Sequence, residues 1–130
     1  MRKEHGNHNL DLCKIILDEG GYNDWVVTTA FYSAVHFVEH ALFPLIEKNV
    51  EYKTFNEYWQ NIYSHRHVSK HDCKKKLVNK YIPAVRTEYR ELYEDCFSSR
   101  YNNYQVNDYN AQQAIKKAHK IKAACLAIKP

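Results

Sequence analysis

Three groups of side chains have the types and spacing to do chemistry. The first is His36-Phe37-Val38-Glu39-His40, an H-x-x-E-H run. Two histidines four apart on a helix can chelate one zinc ion, with the glutamate between them as general base. Spacing supplies no third ligand, and the competing reading is a polar seam within a bundle or between two copies. The second group is His65, His67, His71, Asp72 and Cys73. It matches no structural zinc spacing, so no metal is assigned to it. The third is an arginine–histidine pair, Arg66-x4-His71. Such a pair suits metal-independent RNA cleavage. The histidine exchanges protons with the 2′-hydroxyl or the leaving oxygen, and the arginine stabilises charge on the phosphorane. Five positions on a helix turn two side chains apart, unless a helix starts between them. There is no glycine-rich phosphate loop and no G-x-S-x-G elbow, and no cofactor is expected.

Charge adds a fourth feature. The net charge is only +4, but Arg66, Lys70, Lys74, Lys75, Lys76, Lys80, Arg86 and Arg90 fall between positions 64 and 90, against Asp72 and Glu88. Such a patch attracts polyanions. It is equally the solvated face of a lysine-rich helix.

The elements that must position these groups are helical. With three glycines and three prolines there is little turn chemistry for an all-β fold. Asn23 to Leu45 is apolar on nearly every side, so other helices must enclose it. Thr29, Ser33, His36 and His40 form its one polar stripe. With Thr28, Thr29, Ser33, His36, Glu39 and His40 along it, the stretch is unsuited to a bilayer. It is expected to start at a cap on Asn23 or Asp24 and to run to about Glu47, with a kink at Pro44. A helix from about Lys3 to Glu19, ended by Gly20 and Gly21, precedes it.

After a linker over Lys48 to Lys53, Thr54-Phe55-Asn56-Glu57 opens a short third helix as a capping box. A basic helix then starts at Ser64 or Ser69 and runs to Tyr81, with one face exposed. Pro83 begins a helix with Val85, Tyr89, Leu92, Tyr93, Cys96 and Phe97 as its buried stripe. A loop from Tyr101 leads to a cap at Asn107 or Asp108. The last helix buries Ala111, Ala114, Ile115, Ala118, Ile121, Cys125 and Ile128, with Lys116, Lys117, Lys120 and Lys122 outward. The expectation is one all-α domain over residues 1–130, an up-and-down helical bundle of five to six helices. Cys13, Cys73, Cys96 and Cys125 are scattered and the first residues are polar, so reduced thiols in the cytoplasm are expected.

Four pieces of the chain resemble the HEPN domain, found in prokaryotic toxins and in partners of nucleotidyltransferases. They are W-x3-T-x2-Y-S-A-x-H-x2-E-x-A-L from Trp25 to Leu42, and Ser64-His65 ahead of the basic helix. Tyr89-x2-Leu92-Tyr93 leading to Ser99-Arg100-Tyr101 and Tyr104 is the third, and the final Ala/Lys-rich helix is the fourth. The likeness covers about Leu10 to Ile128. It implies a homodimer with a cleft between protomers. It also implies an R-x4–6-H nuclease motif where the penultimate helix ends. Arg100 stands at that place, while Gln105, Val106 and Asn107 occupy the histidine positions. The resemblance therefore points to the branch with a degenerate nuclease motif.

Three functions follow as expectations. In the first, the dimer cleft binds nucleic acid or nucleotide. Arg100, Tyr101, Tyr104 and His65 contact the ligand, and Arg66, Lys74, Lys75 and Lys76 steer it. In the second, the chain is a metal-independent endoribonuclease toxin using Arg66 or Arg100 with His65 or His71. In the third, it is an interaction module paired with a nucleotidyltransferase antitoxin, bearing a modified Tyr101 or Tyr104.

Overall fold

Six helices and one small hairpin make up the computed structural model, which describes residues 2–63 and 66–130. Helix α1 (Arg2–Glu19) stops where Gly20 and Gly21 take left-handed backbone angles, φ +79° and +85°. Helix α2 (Asn23–Leu42) follows at once. Its N-cap is Tyr22, with no side-chain cap. Asn23, expected as a cap, is instead the first helical residue. Its amide donates to the Val106 carbonyl (2.9 Å) and the Asp108 carboxylate (2.8 Å), which pins the start of the last helix.

Helix α2 is the axis of the bundle. It packs against α1, α5 (Arg86–Tyr101) and α6 (Asp108–Ile128). Val26, Val27, Ala30, Phe31, Ala34, Phe37 and Val38 are all buried. Between Trp25 and Leu42 only Trp25, Thr29, Tyr32, His36 and His40 reach water. Ser33, expected in the polar stripe, is buried, and its hydroxyl donates to the Gly6 carbonyl at 2.8 Å. Gly6 is where α1 comes nearest: a Cβ there would lie 2.9 Å from the buried Phe37 ring. A Gly6→Val variant is therefore expected to lose about 1–3 kcal/mol by overpacking. Denaturant unfolding reads this out, and an unchanged midpoint would remove the close-approach argument.

The central helix ends before its expected limit at Glu47. Phe43 is extended (ψ 139°), as the residue ahead of a proline prefers, and the Phe43–Pro44 bond is cis. The chain then forms an antiparallel hairpin, β1 (Leu45–Glu47) and β2 (Val50–Tyr52), where a plain linker was expected. Lys48 and Asn49 both have positive φ, the geometry of a two-residue primed turn. Glu47 ties this hairpin down by accepting hydrogen bonds from Tyr58, Lys80 and Tyr81.

Helix α3 (Phe55–Ile62) is capped by Thr54, whose hydroxyl accepts from the Glu57 N–H. Ser69 likewise caps α4 (Lys70–Tyr81), accepting from Asp72 N–H. A 3-10 turn (Pro83–Val85) returns the chain into α5, packed on α4. Asn107 caps α6 as expected. Two expected core residues differ: Phe97 is 47% exposed and Ile128 is 49% exposed. No helix is long and apolar enough to cross a membrane among the described residues.

Candidate functional site

The cleft between α4 and α5 gathers most of the chemistry. Near the start of α4 and the end of α5 lies a pocket of about 170 Å³. His71 and Arg100 both line it, although 29 positions separate them in the chain. Its walls are aromatic. The His71 ring lies 5.5 Å from Phe31 and 5.4 Å from Tyr93, centre to centre. The Phe97 and Tyr101 rings meet at a tilt, 4.9 Å apart, and the Arg100 guanidinium sits over the Tyr101 ring at 5.8 Å. Cys96 also lines the pocket, and burial pushes the pKa of its thiol up.

The electronic state of His71 follows from this setting. Burial lowers its pKa, the Lys74 and Lys75 charges add to the effect, and Asp72 only partly opposes them. The ring is thus neutral at pH 7. Its Nδ1 is buried and accepts no hydrogen bond within the described residues. That atom is closed to a ligand, so proton exchange would fall to the ring's other nitrogen, while an arginine lining the same pocket can hold an anion.

Other expected site residues are placed differently. Arg66 lies in the exposed connection before α4 and does not line the pocket. Tyr104 is 68% exposed and also stands outside it. His65 lies outside the described residues, as does Ser64. Lys74 is the clearest correction. It was expected on a solvated face, yet it is buried and pairs with Glu39 at 3.6 Å, its nitrogen 4.1 Å from the Phe55 ring centre. A lysine held this way steers no ligand. Burial lowers its pKa, and the Glu39 carboxylate opposes that shift.

Lys75 and Lys76 do face a groove, of about 780 Å³, between α4 and α5. Opposite them stand Arg86 and Arg90. Those arginines were counted in the basic stretch but given no role. The signal was there: antiparallel helices joined by a short turn bring both sets of cations to one cleft.

The side chains of the H-x-x-E-H run have other partners among the described residues. The His36 ring stacks on His5 at 3.8 Å, and its Nδ1 accepts from Arg2 at 3.2 Å. His40 bonds to the Lys129 carbonyl oxygen through Nε2 at 3.1 Å. Glu39 is bound to Arg2 and Lys74. Among the described residues no three His, Cys, Asp or Glu side chains gather as a metal site.

Comparisons with protein-family models, with curated proteins and with solved structures give no match. The cleft's own chemistry therefore carries the functional argument.

Proposed function

We propose that this chain is a HEPN-like protein that binds nucleic acid or nucleotide at the α4–α5 cleft. The observation that carries the reading is that His71 and Arg100 line one aromatic pocket. Arg100 would contact a phosphate, and Tyr93, Phe97 and Tyr101 offer faces on which a base stacks. Phe97 and Tyr101 are exposed at the pocket's rim, which supports a second copy covering it in a homodimer. The four cysteines are free and buried, which supports a reducing compartment such as the cytoplasm.

A second reading is favoured by a neutral His71 lining the same pocket as Arg100: a metal-independent endoribonuclease, as in a toxin of a toxin–antitoxin pair. Because Nδ1 is buried, the ring's other nitrogen would have to take the proton of an RNA 2′-hydroxyl. The 2′-oxygen would then attack phosphorus, and the 5′-oxygen would leave with a proton from solvent. The products would be a 2′,3′-cyclic phosphate and a free 5′-hydroxyl. Arg100 would stabilise the charge that builds on the phosphoryl oxygens. A nucleotidyltransferase partner would find the Tyr101 and Tyr104 hydroxyls open, and the intact mass of co-expressed protein reads out that modification.

One experiment separates binding from cleavage. Purified protein is incubated with single-stranded RNA in the presence of a chelator. The cleaving enzyme should yield fragments with cyclic ends, and His71→Ala and Arg100→Ala should each slow this by about 10²-fold or more. Binding without fragments selects the non-catalytic reading. Failure to bind at all removes both.

A further inference from the structure

The groove of about 780 Å³ adjoins the pocket. Lys75, which lines the groove, lies over the Tyr93 ring at 4.3 Å, and Tyr93 lines the pocket. Two of the groove's cations are already answered. Lys75 pairs with Asp72 at 3.1 Å, and Arg90 pairs with Glu94 at 3.7 Å. Lys76 and Arg86 have no ion-pair partner among the described residues, and both are exposed. Asp72 attracts Lys76 without pairing with it, and the helix end opposes Arg86. Arg86 is the first residue of α5, at the helix end that favours an anion. Lys76 closes a run of three lysines. Asn79 and Thr87 add neutral hydrogen-bonding groups to the same groove. An anion lying there would answer the two open cations.

We infer that the groove is the phosphate track of the same cleft, and that the ligand is an oligonucleotide spanning both, not a single nucleotide. This rests on the reading of the His71–Arg100 pocket given above. Length decides between the two ligands. At about 1.5 Å per residue, His71 to Asn79 along α4 is about 12 Å, and Arg100 to Arg86 along α5 is about 21 Å. A mononucleotide seated at His71 leaves Lys76 and Arg86 unanswered. A chain of several nucleotides places one base among the rings and successive phosphates along Lys75, Lys76, Arg90 and Arg86.

The test uses the full chain, an eight-nucleotide uridine oligomer and uridine monophosphate, titrated calorimetrically at several salt concentrations. The variants are Lys76→Gln with Arg86→Gln, and Arg100→Gln alone. Lys76 and Arg86 are exposed, and unchanged far-ultraviolet dichroism verifies the fold. The double variant should bind the oligomer about tenfold more weakly at low salt. Its slope of log affinity against log salt should drop by about 1.4, the loss of two single-strand phosphate contacts. Its affinity for the monophosphate should stay as in the wild type, while Arg100→Gln weakens both ligands. If the double variant keeps the oligomer affinity and slope while Arg100→Gln loses affinity, the track is overturned and the pocket stands. If the wild type binds neither ligand, the pocket reading fails and the track falls with it.

Discussion

Replacing Glu39 with alanine should cost the fold about 3–5 kcal/mol, or about 10–20 °C in Tm. The reason is the company Glu39 keeps. Its side chain is 8% exposed, and the side chain of its partner Lys74 is 10% exposed. Arg2 adds a second cation at 3.5 Å. Removing the carboxylate strands a buried ammonium against Phe55. Removing both charges is a different matter, because the cost of burying ions disappears with them. The double variant Glu39→Leu with Lys74→Met should therefore be much closer to the wild type than Glu39→Ala alone. Thermal unfolding of wild type, Glu39→Leu, Lys74→Met and the double variant forms the cycle, with Glu39→Ala measured beside it. A Glu39→Ala variant within 1 kcal/mol of wild type would show that the triad contributes little.

Acid should weaken the fold well before the carboxylates protonate. His36 has its pKa lowered to about 4, first by burial and then by the His5, Arg2 and Lys74 charges. Burial also lowers His71 and His119. The sign follows directly. Each ring binds its proton more readily in the unfolded chain, near pH 6.5, than in the folded one. The stabilisation is complete above pH 6.5 and is lost as pH falls toward 4. One pKa unit is about 1.4 kcal/mol, but part of the His36 ring faces water, which screens the effect. For His36 the loss between pH 7 and 5 is expected to be on the order of 1–2 kcal/mol. Guanidinium midpoints at the two pH values measure it, and His36→Gln should flatten the difference. An equal drop in wild type and variant would place the acid sensitivity elsewhere.

How much of this could be read from the chain depends on the range of the interaction. Local signals were legible. Gly20 and Gly21 stop α1, Thr54 caps α3, Asn107 caps α6, and the apolar run of α2 demanded enclosure. The hairpin was not, because each strand has only three residues and its turn is Lys48-Asn49 without a glycine. The Arg66–His71 spacing did not foretell the pocket's lining. It is a local pattern, whereas the partner that lines the pocket with His71 is Arg100, brought there by the return of α5 along α4. Lys74 was legible in principle. It stands three and four positions before the buried Leu77 and Val78, and Glu39 in an otherwise oily helix called for a counter-charge. Reading the lysine run as one exposed face hid that pairing.

The open line on α2, from Trp25 through Thr29, Tyr32 and His36 to His40, has a consequence for descent. Elsewhere between Trp25 and Leu42 the side chains are buried, and a larger one would collide with a neighbour. A lineage carrying this architecture would have most room to vary along one thin track, at intervals of three or four letters, with Trp25 and Tyr32 less tied than His36 and His40. Divergence there would accumulate as a periodic trace, while the flanking letters stayed close to what they are now.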